Sequence, residues 1–468
     1  MFPRATLLAA LVISCAAQNF DLFPGFAAST RELVDSITKL PFVRQVTQTS
    51  GDLFSESVNA FSSFPLAIAR SFGVSYGLPT LASDTNIVDA TEKVVAEYNS
   101  GLENEDVSLT ITQLISKYGY PVESHQVVTD DGYVLTMHRI PNNGSVVFLM
   151  HGLLGASDDF VVSGPESGLA YLLAADGFDV WMGNARGNKH SRRHRSLNPS
   201  QAVFWDFSWH EIGCYDLPVM IDYVLKTTNT ETLKYIGHSQ GTTSFFVMAS
   251  EKPNYNDKVS LMVALSPVVY MTHVKAPIVR LLSPGTPLLH TVLKSLGVYE
   301  ILPHNSATKL LRQFLCGAGP MEEILCSNIL FLFFGFDFGQ LNATNLPVLY
   351  SHMPSGASGK QFVHYGQGIV SGDFRQFDYG EVENLDTYGS KTPPSYPLEN
   401  VRAPVALFYS DSDWLADPRD VDHLHRRLSN VADVYKVPND QFSHLDFITA
   451  KDLKSLIYIK LKKLLRSF

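Results

Sequence analysis

The sequence predicts an α/β domain built on a mostly parallel, doubly wound sheet. Short apolar runs alternate with segments of helical periodicity, the order expected of the strands and helices in such a sheet. One run, residues 146–150 (VVFLM), is apolar throughout, as expected for a strand covered on both faces. The alternation is interrupted once, over residues 268–400, a stretch rich in Leu, Phe and Pro. This interruption indicates a cap inserted into the sheet domain.

Composition limits the classes of protein to which the chain can belong. Its 468 residues are 45% hydrophobic and 18% charged, which suits a large ordered core and argues against a disordered chain. The formal net charge of −10 argues against nucleic acid as a partner. Neither a C-x-x-C nor an H-E-x-x-H motif occurs, so we expect no metal site, and nothing indicates another cofactor.

The N-terminus has the pattern of a secretory signal peptide, residues 1–17. Arg4 supplies the positive charge, residues 5–13 are apolar, and residues 15–17 (CAA) fit a cleavage site. A membrane anchor is the alternative, but the run is too short to span a bilayer. Because no later run has the length of a transmembrane helix, we expect no transmembrane segment. We expect a secreted protein, with the lysosome as the alternative location.

The rest of the chain divides into four segments. Residues 18–105 carry no cluster of reactive residues, and we interpret them as an N-terminal extension or pro-segment, with disorder as the alternative. Residues 106–267 are the first part of the core, residues 268–400 the cap, and residues 401–468 the second part of the core. The strand-like runs of the core are 126–128, 133–140, 145–150, 178–182, 233–236, 260–265, 404–410 and 433–437.

The cysteine count predicts one disulfide if the protein passes through an oxidising compartment. Cys15 lies in the signal, which leaves Cys214, Cys316 and Cys326, an odd number that suggests one disulfide and one free thiol. Cys316 and Cys326 enclose a short loop in a segment of their own, so we expect them to pair and Cys214 to be buried and free. N-glycosylation sequons stand at Asn143 and Asn342.

The main chemical signal is the tight turn GHSQG at residues 237–241. An apolar run leads into it and a helical segment, residues 242–249, follows, which is the strand–turn–helix context of a nucleophilic serine. The glycines let the strand and the helix pass close to the turn. A second G-x-S-x-G, around Ser75, lacks this context, so we predict Ser239 to be the nucleophile.

A serine hydroxyl becomes a good nucleophile when a histidine takes its proton and an acid orients that histidine. After a serine in such a turn, the acid and then the histidine are expected later in the chain, each just beyond a strand. The strand at 405–409 precedes both Asp411 and Asp413, and either fits as the acid. The strand at 434–437 precedes His444, which we predict to be the base.

The reaction also needs N–H donors for the oxyanion. One is expected on Gln240, directly after the serine, and the other in the loop after an early strand. The segment HGLLG at 151–155 follows the strand-like run 146–150. We choose the N–H of Leu153 as the second donor and interpret His151 as structural.

These segments resemble the animal acid lipase family, which contains gastric lipase and lysosomal acid lipase. The resemblance runs in the same order from about residue 105 to about residue 460, and its joint specificity is high although each piece alone is modest. The segments that carry it are YGYPVESHQVVTDDGYVLTMHRIP (118–141), HGLLGASDDF (151–160), DVWMGNARGNKHSRRH (179–194), FWDFSWHEIGCYDLP (204–218), GHSQG (237–241), DWLADPRDV (413–421) and SHLDF (443–447).

The resemblance implies an α/β-hydrolase core with a mainly helical cap and lid. It implies hydrolysis of water-insoluble esters, triacylglycerols or sterol esters, at an oil–water interface. It favours Asp413 over Asp411 as the acid and supports the Cys316–Cys326 bridge. The site residues that it implies are Ser239 as nucleophile, Asp413 as acid, His444 as base, and Leu153 and Gln240 as oxyanion donors. The alternatives are a catalytically weak lipid-binding or yolk-type protein on the same fold, and an esterase for soluble esters.

The C-terminal segment, residues 451–468, combines basic residues with an apolar stripe at helical spacing. It suits either an anionic lipid surface or a final helix packed on the sheet, and we favour the packed helix.

Overall fold

The structure, a computed structural model, describes residues 100–276 and 339–468 apart from residue 102, together with 279, 280, 283, 295 and 297–303. The strands within these residues are β1 (Glu123–Val128), β2 (Tyr133–Ile140), β3 (Val146–Met150), β4 (Asp179–Met182), β5 (Arg193–His194), β6 (Leu233–His238), β7 (Val259–Leu265), β8 (Glu300–Ile301), β9 (Ala357–Ser358), β10 (Val405–Tyr409) and β11 (Val431–Lys436).

Helices connect most of these strands. They are α1 (Ile111–Lys117), α2 (Gly164–Ser167), α3 (Leu169–Ala175), α4 (Trp209–Glu211), α5 (Leu217–Thr228), α6 (Gln240–Glu251), α7 (Leu346–His352), α8 (Gly359–Ser371), α9 (Glu381–Tyr388), α10 (Pro418–Arg427), α11 (Asp446–Thr449) and α12 (Ile459–Leu465). Short 3₁₀ or π-helical turns extend several of them, such as Ile212–Asp216 before α5 and Lys454–Tyr458 before α12.

The main sheet has the strand order β1-β2-β4-β3-β6-β7-β10-β11, with β5 paired to β2. β3, β4, β6, β7, β10 and β11 are parallel to their neighbours in that group, whereas β1 and β2 form an antiparallel hairpin. The hairpin turns at Gly132, whose φ is +100°. β1 begins three residues before the predicted strand 126–128, because the polar residues from Glu123 also pair with β2 at the edge of the sheet. The prediction of a mostly parallel, doubly wound sheet is confirmed.

The core lies on both faces of this sheet. Within β3, Phe148 and Met150 face one layer of buried residues, and Val147 and Leu149 face the other. The first layer includes residues of α5 and α6, and the second includes residues of α3 and α12. Helices on both faces explain why the central strands are apolar at consecutive positions.

The C-terminal stripe belongs to the second layer. Leu453, Ile457 and Leu461 are buried there, and Leu464 packs against it partly buried. The segment is therefore a final helix packed on the sheet, and its apolar side is occupied in this way.

Several predictions fall on residues that lie outside the described part of the chain. They are the signal peptide 1–17, most of the extension 18–105, Ser75, and the pair Cys316 and Cys326. The division into two core segments and a cap stays a prediction. Among the described residues, no helix is long and apolar enough to cross a membrane.

Candidate active site

Ser239 occupies a sharp turn between β6 and α6. Its φ is +52°, a conformation rarely adopted by residues with a side chain. A Cβ on Gly237 would lie 2.7 Å from the carbonyl carbon of Gly241, and a Cβ on Gly241 would lie 2.3 Å from the carbonyl oxygen of Met150. The two glycines are therefore required by close backbone contacts. They hold Ser239 at the carboxyl edge of the sheet and at the start of α6.

One chain of hydrogen bonds joins Ser239, His444 and Asp413. His444 Nε2 lies 2.8 Å from Ser239 Oγ, and His444 Nδ1 lies 2.9 Å from Asp413 Oδ2. All three side chains are buried. They stand in loops that follow β6, β11 and β10, and parallel strands end at the same edge of a sheet. The structure thus brings together the serine, histidine and carboxylate that the sequence placed in the site.

Asp413 is held as a carboxylate. Its Oδ1 accepts hydrogen bonds of 2.8 Å from the N–H groups of both Leu415 and Ala416. Burial favours the protonated form, but the adjacent His444 and the hydrogen bonds outweigh it and keep the pKa of Asp413 below its ordinary value of 3.8. Asp411, the alternative acid, is half exposed and forms an ion pair with Lys436 instead. The geometry therefore favours Asp413 over Asp411.

The loop 151–155 lies against Ser239. A Cβ on Gly152 would lie 3.1 Å from Ser239 Cβ and 3.5 Å from its Oγ, so the backbone of this loop approaches the serine closely. Leu153 follows directly, and Leu154 has a φ of +63°. His151 donates from Nδ1 to the Gly152 carbonyl over 2.8 Å and accepts at Nε2 from the Ala185 N–H over 3.1 Å. Burial lowers the pKa of His151 to about 4, so it stays neutral and holds the loop.

Gln240 begins α6 and is buried. Its side-chain amide Nε2 donates a 2.7 Å hydrogen bond to Gln361 Oε1 in α8. Its backbone N–H belongs to the first turn of α6, where the N–H groups have no partner within the helix and the helix dipole is positive. Gln240 therefore connects the turn of Ser239 to a helix of the segment predicted as the cap.

Known proteins with similar sequences show the family to which this chain belongs. Residues 111–164 match a family model described as a partial alpha/beta-hydrolase lipase region, and residues 145–290 match the alpha/beta hydrolase fold. Lipase 1 of Drosophila melanogaster is 44% identical over 366 residues, which cover 77% of this chain and 80% of that protein. Lipase 3 of the same species is 44% identical, with 75% and 91% coverage. The gastric triacylglycerol lipase of Bos taurus is 38% identical, with 78% and 92% coverage.

This chain belongs to the α/β-hydrolase lipase family. It is accordingly a carboxylic ester hydrolase of the lipase type, and the resemblance to the group that contains gastric lipase is confirmed.

Two further residues of this lipase contact the hydrogen-bonded chain of Ser239, His444 and Asp413 and were not predicted from the sequence. Ser266, just after β7, makes hydrogen bonds to both Asp413 and His444. His238 donates from Nε2 to the carbonyl oxygen of His444 over 3.0 Å, and burial lowers its pKa to about 3, so it remains neutral. The local signal for both is a polar residue at the carboxyl end of a predicted strand, which many loops share.

The other predictions concern the free cysteine, the glycosylation sequons and a metal site. Cys214 is a free, buried cysteine, as expected, and burial raises the pKa of its thiol to about 12. Asn143 and Asn342 are both exposed, and their glycosylation stays a prediction. Within the described ranges, no three or more His, Cys, Asp or Glu side chains form a group that could hold a metal ion.

Proposed function

We propose that this lipase hydrolyses the esters of water-insoluble lipids, triacylglycerols or sterol esters, through an acyl-enzyme on Ser239. The observation that carries the proposal is the continuous chain of hydrogen bonds from Ser239 Oγ to His444 Nε2, 2.8 Å, and from His444 Nδ1 to Asp413, 2.9 Å. The similarity to the gastric triacylglycerol lipase of Bos taurus supports the class of substrate.

In the acylation step, Ser239 Oγ attacks the ester carbonyl carbon while His444 Nε2 takes the hydroxyl proton. Asp413 lies on the other side of the ring, where it holds the Nδ1 proton and stabilises the imidazolium that forms. His444 then gives its proton to the leaving alcohol. In deacylation a water molecule takes the place of the alcohol, and the same proton transfers release the fatty acid.

The negative oxygen of each tetrahedral intermediate needs donors that are already in position. We propose the backbone N–H groups of Gln240 and Leu153. The place of Gln240 at the start of α6 supports the first choice, because the helix dipole favours negative charge there. The contact of Gly152 with Ser239 supports the second choice, since it brings the 151–155 loop to the side of the serine.

The cap, predicted at residues 268–400, would supply an apolar channel for the acyl chain and act at an oil–water interface. The Gln240–Gln361 hydrogen bond supports a role for this segment next to the site, because it joins α8 to a proposed oxyanion residue.

We also propose that the protein is secreted by means of residues 1–17. N-terminal sequencing of the secreted protein locates the start of the mature chain. A start near residue 100 indicates a cleaved pro-segment, and a start at Gln18 indicates a retained extension.

The decisive experiment compares wild type, Ser239→Ala and Ser244→Ala on emulsified long-chain triacylglycerol, a sterol ester and a soluble short-chain ester. Ser244 is a matched control, because its hydroxyl is buried in α6 and has no hydrogen-bond partner among the described residues. We expect Ser239→Ala to lose roughly 10⁴-fold or more in kcat and Ser244→Ala to keep its activity. Unchanged hydrolysis by Ser239→Ala refutes the acyl-enzyme on this residue. A strong preference of the wild type for the soluble ester refutes the lipid substrate.

A further inference from the structure

Ser266 is the first residue after β7, which lies between β6 and β10 in the sheet. Its N–H donates to the Phe408 carbonyl of β10 over 2.9 Å, and the neighbouring Leu265 carbonyl accepts from the Ser239 N–H over 3.1 Å. The backbone at Ser266 therefore stands between the strand of the proposed nucleophile and the strand of the proposed acid.

The Ser266 side chain points into the centre of the hydrogen-bond chain. Its hydroxyl donates to Asp413 Oδ2, and its Oγ lies 2.6 Å from His444 Nδ1. The residue is fully buried. Asp413 Oδ1 accepts from two backbone N–H groups, and His444 Nδ1 lies 3.0 Å from Oδ1 and 2.9 Å from Oδ2. The Ser266 hydroxyl and the His444 ring therefore both contact Oδ2.

We propose that Ser266 is a positioning residue that fixes the tautomer and the orientation of His444; this rests on the proposed function of Ser239, His444 and Asp413. A hydroxyl that gives its proton to Asp413 presents a lone pair to His444 Nδ1. Nδ1 must then carry a proton, which leaves Nε2 unprotonated and able to accept from Ser239. The opposite arrangement would place a bare Nδ1 against a carboxylate oxygen 2.9 Å away, two acceptors in contact.

The backbone conformation of Ser266 allows a glycine variant to serve as the control for this proposal. Ser266 has a φ of +54°, in the left-handed region that favours glycine. Ser266→Gly removes the hydroxyl and relieves the backbone, whereas Ser266→Ala removes the hydroxyl and leaves the backbone conformation unfavourable. If the residue served the fold alone, the glycine variant would equal or exceed the wild type in both stability and activity.

The experiment measures kcat, KM and melting temperature for wild type, Ser266→Ala, Ser266→Gly, Ser244→Ala and Ser239→Ala on a soluble short-chain ester. Loss of one hydrogen bond to a charged group predicts a fall in kcat of about 10- to 100-fold in both Ser266 variants, with KM unchanged within about twofold. We expect Ser266→Gly to melt above Ser266→Ala although both are equally slow. The rate at which a fluorophosphonate labels Ser239 should fall in parallel with kcat.

The outcomes separate the two proposals. If Ser239→Ala is inactive while both Ser266 variants keep kcat within about twofold of wild type, the positioning role is refuted and the proposed function stands. If Ser266→Gly regains the activity that Ser266→Ala loses, the role of the residue is in the backbone and the proposal is also overturned. If Ser239→Ala remains active, the proposed function itself fails.

Discussion

Asp158 is the most heavily paired buried carboxylate near the proposed donor loop, and its neutralisation is the sharpest test of how that loop is held. We define the Asp158 cluster as Asp158, Lys189, His190 and His352. Asp158 Oδ1 lies 2.7 Å from Lys189 Nζ and 2.7 Å from His352 Nδ1, and its Oδ2 lies 2.5 Å from His190 Nε2. Burial would raise the pKa of Asp158, but these partners hold it well below the ordinary value.

The cluster connects three chain segments, one of which continues from the loop beside Ser239. Asp158 follows the 151–155 loop, Lys189 follows β4, and His352 ends α7. Two backbone hydrogen bonds run alongside: Ser355 N–H donates to the Leu154 carbonyl over 2.8 Å, and Lys189 N–H donates to the Ser355 carbonyl over 2.9 Å. Loss of the Asp158 charge should therefore loosen the loop that carries the proposed donor Leu153.

We expect Asp158→Asn to lower the free energy of unfolding by roughly 3–5 kcal/mol, the usual cost of leaving a buried charge without its partner. The side chain of Asp158 is 2% exposed and that of Lys189 is 12% exposed, so water cannot replace the lost carboxylate. Asp257 is the matched control, because its ion pair with Arg402 joins side chains that are 76% and 55% exposed. Asp257→Asn should cost at most about 1 kcal/mol.

The measurement is urea denaturation followed by tryptophan fluorescence. It compares the single variants Asp158→Asn and Lys189→Met with the double variant Asp158→Asn/Lys189→Met, and Asp257→Asn is the control. Removal of Lys189 takes away the unpaired cation, so the double variant should be more stable than the sum of the single changes by roughly 1–3 kcal/mol. If Asp158→Asn costs no more than Asp257→Asn, or if the double variant is simply additive, the cluster does not hold the loop as argued.

Three further predictions concern buried contacts. Gly241→Ala should cost roughly 3 kcal/mol or more and abolish ester hydrolysis, because its Cβ would lie 2.3 Å from the Met150 carbonyl oxygen; a folded and active variant on thermal melting and ester assay would contradict this. Burial raises the pKa of Asp159 to about 7 from an ordinary 3.8, so the native state retains a proton that the unfolded chain has lost, and stability falls as the pH rises between these values. Asp159→Asn removes this penalty, which is on the order of 4 kcal/mol at pH 8, and should stabilise the protein more at pH 8 than at pH 5 in urea titrations; an equal effect at both pH values would refute it. Leu461→Ala should cost about 2–5 kcal/mol in the same titrations, since Leu461 is fully buried under the sheet, whereas a membrane-facing stripe would predict almost no change.

The elements with strong local signals could be predicted from the sequence. The turn at Ser239 and the strand at 146–150 follow from glycine spacing and from an unbroken apolar run, which are local properties of the chain. The order of serine, acid and histidine after strands predicted His444 as the base, and Asp411 or Asp413 as the acid, without any knowledge of the sheet order. Local residues left Asp411 and Asp413 equivalent, because they stand two positions apart after the same strand. The difference between them arises from a long-range contact with His444.

The Asp158 cluster and Ser266 were not predictable in the same way. Asp158 and His352 are separated by 194 positions, and nothing in the sequence around either residue specifies that they will pair. Ser266 stands in an ordinary Leu-Ser-Pro segment, where a serine after a strand is common in any loop. Its importance depends on which strands lie beside β7, and the order of strands is a property of the folded sheet.

That order gives a rule for finding such residues. β6, β7, β10 and β11 are neighbours in the sheet, and their carboxyl ends lead to Ser239, Ser266, Asp413 and His444 in that sequence. β10 pairs in parallel with β7, Val405 opposite Met262, although about 140 residues separate them along the chain. The chain between β7 and β10, where the cap is predicted, therefore does not separate the loops that meet at the site. Once the strand of a nucleophile and the strand of its acid are known, the first polar residue after any strand between them is a candidate for contact with the acid and its histidine. Ser266 makes both of these contacts.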